Sequence, residues 1–144
     1  MSATGDSKTE EMDEDEVQML QYKVILLGDG AVGKTSIAMR FGKDEFQQTY
    51  KQTVGVDFHM RRLDLPPRHR VTIQLWDIGG QSIGSKMVTK YVGGAHAVLL
   101  CYDITNYESF ANLEDWYRIV KSTFPEEEKM PLVALIGNKS ENYN

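Results

Sequence analysis

The chain is poor in cysteine and has no long apolar run. Its single cysteine, Cys101, leaves no partner for an intramolecular disulfide, and the apolar run around it predicts a buried, unreactive side chain. No window approaches the roughly 18 consecutive apolar residues that a membrane span needs. The first residues are polar and acidic, unlike a signal or transit peptide. We therefore expect a cytoplasmic protein.

The chain also has no excess of basic residues, and this argues against a nucleic-acid partner. The net charge is -5, but residues 1–16 hold seven of the 21 acidic residues and one of the 16 basic ones. The other 14 acidic and 15 basic residues nearly balance. Because the acidic segment can bury little, we predict a disordered tail over residues 1–20 and one domain over residues 21–144.

Short continuous apolar runs predict buried strands over residues 22–27, 97–102 and 132–136. Apolar residues at helical spacing predict a helix over residues 34–41. A second helix is predicted further along the chain, and its expected packing residues are Phe110, Leu113, Tyr117 and Val120. Strands that alternate with helices indicate an α/β fold with a mostly parallel sheet.

Residues 56–65 and 70–76 predict two further strands. The second alternates apolar and polar residues, and Pro66 and Pro67 end the first. Because the connection is short, we predict an antiparallel hairpin at the edge of the sheet. Ligands of such sheets bind beyond the carboxyl ends of the strands. Polar clusters lie at these ends, over residues 28–35, 77–81 and 138–141, and we predict that they form one site.

The first cluster, GDGAVGKT, matches G-x-x-x-x-G-K-[ST] and has a predicted strand before it and a helix after it. Glycines let backbone N–H groups point at phosphate oxygens, and the helix N-terminus favours an anion. Lys34 is predicted to reach the β- and γ-phosphates, and Thr35 to give its hydroxyl to Mg²⁺. The predicted nucleotide-binding residues here are Gly28, Asp29, Gly30, Ala31, Val32, Gly33, Lys34, Thr35 and Ser36.

The second cluster follows the predicted strand 70–76. Asp77 occupies the place of a Walker B carboxylate, which helps to hold Mg²⁺. Gly80 can offer its N–H to a γ-phosphate, and Gln81 can orient an attacking water. A polar turn without such a role remains the alternative for this cluster alone.

The chain resembles the Ras-like small GTPases and, within them, the Rab family. Residues 53–58 (TVGVDF) are similar to the Rab switch I element, residues 90–95 (KYVGGA) to the segment after switch II, and Asn138-Lys139 to the start of the guanine-recognition motif. Residues 76–81 and 103–117 are most similar to the divergent Rab twenty-eight branch. The implied fold is the small G domain of the P-loop NTPases.

The resemblance also implies roles for single residues. Thr53 would bind Mg²⁺ and the γ-phosphate, Phe46 would stack edge-on against the base, Asn138 would read the guanine, and the stem of Lys139 would pack over its ring. A loop-anchoring aromatic is the alternative for Phe46. The expected catalytic residues are Gln81, Lys34 and Thr53, and the expected metal ligands are Thr35, Thr53 and Asp77. The implied partners are GTP, GDP, effectors, an exchange factor and a GTPase-activating protein.

The sequence departs from the Rab pattern in three places. Glu141 stands where the guanine motif has an aspartate, and its carboxylate is one methylene further out. Gly79 occupies a position that is alanine in most Rabs, so altered switching is a hypothesis. The family's last strand, last helix and prenylated tail are not in this sequence, so we expect an incomplete G domain without a stable membrane anchor, whereas full-length relatives are peripheral on the plasma membrane, endosomes or cilia.

We therefore expect a GTP-hydrolysing switch in vesicle or ciliary trafficking. The alternative is a truncated, non-catalytic form that binds nucleotide weakly or not at all. A P-loop kinase or ATPase is disfavoured because residues 53–58 and Asn138-Lys139 indicate guanine specificity.

Overall fold

The computed structural model describes residues 16–43, 55–126 and 128–142. Within these residues the chain forms one five-stranded sheet, with strands β1 (Gln18–Leu27), β2 (Val56–Leu65), β3 (His69–Ile78), β4 (Ala97–Asp103) and β5 (Leu132–Asn138). The strand order is β2-β3-β1-β4-β5. β2 and β3 are antiparallel, and the other neighbours are parallel. The predicted α/β sheet with one antiparallel hairpin is confirmed.

Four α-helices connect the strands in the described part of the chain: α1 (Lys34–Lys43), α2 (Lys86–Val92), α3 (Tyr107–Ala111) and α4 (Leu113–Thr123). Short 3-10 turns cover Gly80–Ser82 and Ser140–Asn142. Helix α2 was not predicted from the sequence. It begins after Ser85, whose hydroxyl accepts a hydrogen bond from the Met87 N–H. None of the helices described here is long and apolar enough to cross a membrane.

The first strand begins at Gln18, so the prediction that residues 1–20 form a disordered tail was wrong for residues 18–20. Gln18 lies opposite His69 in the parallel register, and its N–H donates to the Arg68 carbonyl at 2.8 Å. Most side chains in this part of β1 are exposed. The strand is extended by backbone pairing with β3 rather than by burial, and an apolar pattern could not reveal it.

The predicted helix around residues 110–120 is two helices that meet at Asn112. Its predicted packing residues were partly wrong, because Phe110 and Tyr117 are 45% and 39% exposed. Leu113 and Val120 are buried as predicted, and Trp116, which was not predicted, is buried with them. These three residues follow the i, i+3, i+7 pattern of one helix face, counted from the start of α4.

The sheet is covered on both faces, and β1 contributes to both cores. Ile25 and Leu27 pack with residues of α2 and α4, while Leu26 packs with Ala38 of α1 and with Cys101. The prediction that Cys101 is a core residue is confirmed, since it is fully buried. Burial raises the pKa of its thiol to about 12, so the side chain stays protonated. The loop after β1 therefore rests on well-packed secondary structure.

Candidate functional site

The three polar clusters follow β1, β3 and β5, whose carboxyl ends share one edge of the sheet. The loop after β1 and the start of α1 form most of the wall of a small pocket, and residues at and after the end of β3 form the rest. This pocket is lined by Gly30, Ala31, Gly33, Lys34, Thr35, Ser36, Asp77, Gly79 and Gly80. The sequence predicted that Asp77 lies just beyond the end of β3. β3 instead runs to Ile78, so Asp77 is the second-last residue of the strand.

The loop over residues 28–33 requires glycine at two positions. Gly28 has φ +150°, and a Cβ there would collide with the Cys101 carbonyl. Gly33 has φ +99°, and a Cβ there would collide with the Asn138 amide. Ala31 also adopts a left-handed conformation, with φ +63°. The loop is thus a strained turn whose shape depends on close neighbours from β4 and β5.

The ammonium group of Lys34 folds back over this loop. Its Nζ donates to the Gly28 carbonyl at 2.8 Å and to the Asp29 carbonyl at 2.6 Å, and the residue is 5% exposed. Burial lowers the pKa of Lys34, and the nearby carboxylate of Asp77 opposes that shift. The arrangement places the Lys34 ammonium at the start of α1. Both its positive charge and the helix dipole favour an anion at this position.

Thr35 and Asp77 bring two oxygen ligands together across the pocket. The Thr35 hydroxyl donates to Asp77 Oδ2 at 2.5 Å, and Asp77 is fully buried. A hydroxyl and a carboxylate are hard oxygen donors, which Mg²⁺ prefers over nitrogen or sulfur. This donor set fits a magnesium ion that keeps some of its waters.

Gly80 approaches the loop from the other side. A Cβ at Gly80 would collide with the backbone at Asp29 and Gly30, so only glycine fits this contact. The Gly79 N–H donates to the Gly55 carbonyl at 2.8 Å, which ties the end of β3 to the start of β2. Gln81 is exposed within the 3-10 turn that follows.

At the other end of the site, β5 places two side chains on the same loop. Asn138 Nδ2 donates to the Val32 carbonyl at 3.0 Å. Lys139 Nζ donates to the Ala31 carbonyl at 2.6 Å and lies 3.1 Å from Asp103 Oδ2. Burial raises the pKa of Asp103, but hydrogen bonds from Thr105 and Lys139 outweigh burial and hold this pKa below its ordinary value.

Two predicted site residues, Phe46 and Thr53, lie outside the described residues. The structure brings the other predicted residues to one edge of the sheet: Gly28 to Ser36 on the loop and α1, Asp77 to Gln81 at and after the end of β3, and Asn138 and Lys139 at the end of β5.

Comparison with known proteins identifies the family. A family model described as the Ras family matches residues 23–144. The chain belongs to the Ras family. Members of this family are in general GTPases that use Mg²⁺. The resemblance to Rab small GTPases, and the assignment of the fold as a small G domain, are confirmed.

Individual Ras-family relatives agree with this assignment. Ras-related protein Rab-28 of Caenorhabditis elegans is 48% identical over 119 residues, which are 83% of this chain and 48% of the relative. Rab-8A of Gallus gallus is 40% identical over 119 residues, or 82% and 55% of the two chains. Rab-7L1 of Rattus norvegicus is 40% identical over 122 residues, or 83% and 59%. The chain spans about half the length of the curated relatives it matches.

Two residues beside the loop after β1 of this Ras-family chain were not predicted from the sequence. Asn112 Nδ2 and Trp116 Nε1 donate to the carboxylate of Asp29. They are four positions apart at the start of α4, and therefore on one helix face. This spacing was the available signal, but it did not indicate that the face points at the loop.

Proposed function

We propose that the chain is a guanine-nucleotide switch that binds GTP and GDP with Mg²⁺ and hydrolyses GTP. One observation carries the proposal: Asn138 and Lys139 donate to carbonyls of the same loop that Lys34 folds over. Lys34, proposed to bind phosphate, and Asn138 and Lys139, proposed to read the base, are thereby held on the same loop. A ligand that contacts both ends needs a phosphate chain and a base. This favours a nucleoside polyphosphate over a free phosphate or another phosphorylated metabolite.

The phosphate end is supported by the loop and by α1. Backbone N–H groups of the loop and the positive end of the α1 dipole attract phosphate oxygens. In the proposed complex the Lys34 ammonium exchanges its carbonyl partners for β- and γ-phosphate oxygens, which are stronger acceptors because they are charged. Phosphate binding thus replaces the hydrogen bonds that Lys34 makes to Gly28 and Asp29.

The metal would be held by the Thr35 hydroxyl and, through water, by the Asp77 carboxylate, with Thr53 as a further ligand. A bound Mg²⁺ supplies positive charge that neutralises the phosphate oxygens. Thr35 would then present its hydroxyl oxygen rather than its proton to the site, and the Asp77 carboxylate would accept hydrogen bonds.

For hydrolysis, Gln81 would orient the attacking water, and the Gly80 N–H would contact the γ-phosphate. Gly79 has φ -62° and ψ 135°, a conformation that alanine also adopts. A benefit of glycine at Gly79 would therefore have to arise in another switch state. Equal single-turnover hydrolysis by wild type and Gly79→Ala would exclude a role for the extra backbone freedom.

At the base end, Asn138 would hydrogen-bond the guanine and the stem of Lys139 would cover its ring, with Phe46 against the opposite edge. Glu141 would supply the carboxylate of the guanine motif, one methylene further from the backbone than an aspartate. The partners proposed for the switch are Rab effectors, an exchange factor and a GTPase-activating protein, in vesicle or ciliary trafficking at a membrane surface.

Nucleotide binding tests the proposal. A fluorescent GDP analogue is titrated into the chain with Mg²⁺, and GTP and ATP are added as competitors. We expect GTP to displace the analogue and ATP to fail. Lys34→Ala should weaken binding by about 100-fold, since a buried charge-assisted contact is lost. Lys121→Ala is the matched control, because this lysine is exposed on α4 and lies near the Tyr117 ring.

Two outcomes would contradict the proposal. Equal competition by ATP and GTP would indicate a P-loop kinase or ATPase. A folded chain that does not bind the analogue would indicate the non-catalytic alternative.

A further inference from the structure

The side chain of Asp29 is turned away from the pocket and held by α4. Its Oδ2 accepts a hydrogen bond from Asn112 Nδ2 at 2.6 Å, and its Oδ1 accepts one from Trp116 Nε1 at 3.2 Å. Both oxygens of the carboxylate are therefore engaged. The two contacts join residues that are 83 and 87 positions apart in the sequence, and they connect the loop after β1 to the start of α4.

Asn112 makes this contact instead of the one its position favours. It precedes the first residue of α4, where an asparagine side chain usually accepts a hydrogen bond from the following turn. Here its backbone is helical, with φ -69° and ψ -13°, and within the described residues its side chain makes no capping hydrogen bond. The amide is instead directed to Asp29. At the break between α3 and α4, the side chain of Asn112 therefore contacts the loop after β1 and does not cap α4.

Trp116 supplies the second donor from the core. It is fully buried among residues such as Leu113 and Val120. A buried indole fixes its own position, because the close-packed core leaves its ring no room to rotate. Its N–H needs a partner when buried, and a carboxylate is a strong one. The Asp29 side chain is consequently attached to a fully buried residue of the core.

The backbone of Asp29 takes part in two other contacts of the site. Its carbonyl accepts from Lys34 Nζ at 2.6 Å. Gly80 packs so closely against the Asp29-Gly30 backbone that a Cβ would not fit. A shift of Asp29 would move both the phosphate-binding lysine and the segment before Gln81.

We propose that Asn112 and Trp116 are positioning residues that hold Asp29 and thereby set the rate at which nucleotide leaves the site. We call these three residues the Asp29 clamp. The inference rests on the proposed nucleotide-binding function, but it assigns a role to two residues at the start of α4 that are not among the residues that line the pocket. Loosening the clamp lets the loop leave its strained, phosphate-binding shape, so release becomes faster.

The test compares dissociation of a fluorescent GDP analogue from wild type, Trp116→Phe and Asn112→Ala with Mg²⁺ present. Trp116→Phe keeps an aromatic ring in the core but removes the Nε1 donor together with part of the indole volume, and the cavity variant described below controls for the lost volume. We expect each variant to release nucleotide about tenfold faster, as loss of a hydrogen bond to a charged group should do. In an Asp29→Ala background, Asn112→Ala should add no further acceleration, because its partner is already gone.

Val120→Ala is the matched control. It creates a cavity in the same helix face and lowers the unfolding temperature, but it should leave the release rate within about twofold of wild type. If Val120→Ala accelerates release as much as Trp116→Phe, the effect is general destabilisation and the clamp is excluded. Unchanged release by both clamp variants excludes it as well.

Amide hydrogen exchange separates failure of the clamp from failure of the proposed function. It is measured on the nucleotide-free chain, at residues 28–33. Faster exchange in Trp116→Phe than in Val120→Ala supports the clamp even if no nucleotide binds, in which case the proposed function alone fails. Equal exchange in these two variants overturns the clamp and leaves the proposed function to the binding titration.

Discussion

The two ends of the candidate site differ in how they are built. At the phosphate end, Lys34 is 5% exposed and Asp77 is fully buried, and both are carried by elements next to the central strand β1. At the base end, the supporting strand β5 has a partner on one side only within the described residues, and its Leu135 is 61% exposed. The core therefore organises the phosphate end, while the base end depends on a few side-chain contacts to the loop.

This difference separates affinity from selectivity. Rigid, buried groups should provide most of the nucleotide affinity, whereas the exposed edge should decide which base is accepted. Substitutions at the phosphate end should then weaken GDP and ATP binding together, and substitutions at the base end should change their ratio.

The largest effect is expected at Gly33, where the loop of the phosphate end contacts Asn138 of the base end. Gly33→Ala should weaken GDP binding by about 100-fold, because a strained backbone and a displaced Asn138 side chain together cost about 3 kcal/mol. Gly94→Ala is the matched control: Gly94 also has a positive φ of +74°, but a Cβ there would meet nothing among the described residues. Equal losses in a titration with a fluorescent GDP analogue would mean that Asn138 is not held by this contact.

Glu141→Asp tests the base end alone. Shortening the side chain by one methylene should improve GDP binding by about tenfold, the value of one charge-assisted hydrogen bond, and leave ATP binding unchanged. Competition titrations give both affinities. Glu114→Asp is a suitable control, because Glu114 is an exposed residue of α4 that pairs with Arg118. Weaker GDP binding in Glu141→Asp would show that the longer side chain is the better fit in this chain.

The smallest effect is expected at the ion pair between Asp103 and Lys139. Asp103→Asn should weaken GDP binding by about threefold, since an ion pair near the surface contributes little. Asp115→Asn, which loses an exposed pair with Arg118, is the control and should have no effect on binding.

The same pair predicts a pH dependence. The pKa of Asp103 lies below its ordinary value of 3.8. A carboxylate with a depressed pKa stabilises the fold above that ordinary value, and its contribution is lost as the pH falls through the folded-state pKa. The difference in unfolding free energy between wild type and Asp103→Asn should thus be constant from pH 8 to about 5 and shrink at lower pH. Urea unfolding at several pH values measures it, and a difference that shrinks above pH 5 would contradict the assignment.

Much of the fold and the phosphate end could be predicted because their signals are local. The strand over residues 22–27, the loop after it and the helix over residues 34–41 follow from neighbouring residues, and so does the hairpin of β2 and β3. The residues that failed depend on distant partners. Residues 18–20 join β1 because β3 offers backbone groups to them, and the single helix expected around Phe110 to Val120 is divided at Asn112, whose side chain reaches Asp29.

The place of the polar cluster over residues 138–141 could be predicted from the end of its strand, but the roles of Asn138 and Lys139 at the base end were expected only from family resemblance. Nothing in the local sequence around Asn138 and Lys139 indicates that their side chains contact the carbonyls of Val32 and Ala31, more than 100 positions earlier. The Asp29 clamp had no such guide, and only the folded chain brings its members together.

The sequence contains two tryptophans, and both pack in the core that α2 and α4 share with the sheet. Trp76 precedes Asp77 in β3 and meets Phe58 edge-on, with ring centroids 4.6 Å apart. Trp116 donates to the Asp29 carboxylate beside the loop after β1. Trp76→Phe therefore leaves Trp116 as the single tryptophan, with its indole N–H on a residue of that loop. Its emission would serve as a built-in optical probe of the Asp29 contact without a labelled nucleotide.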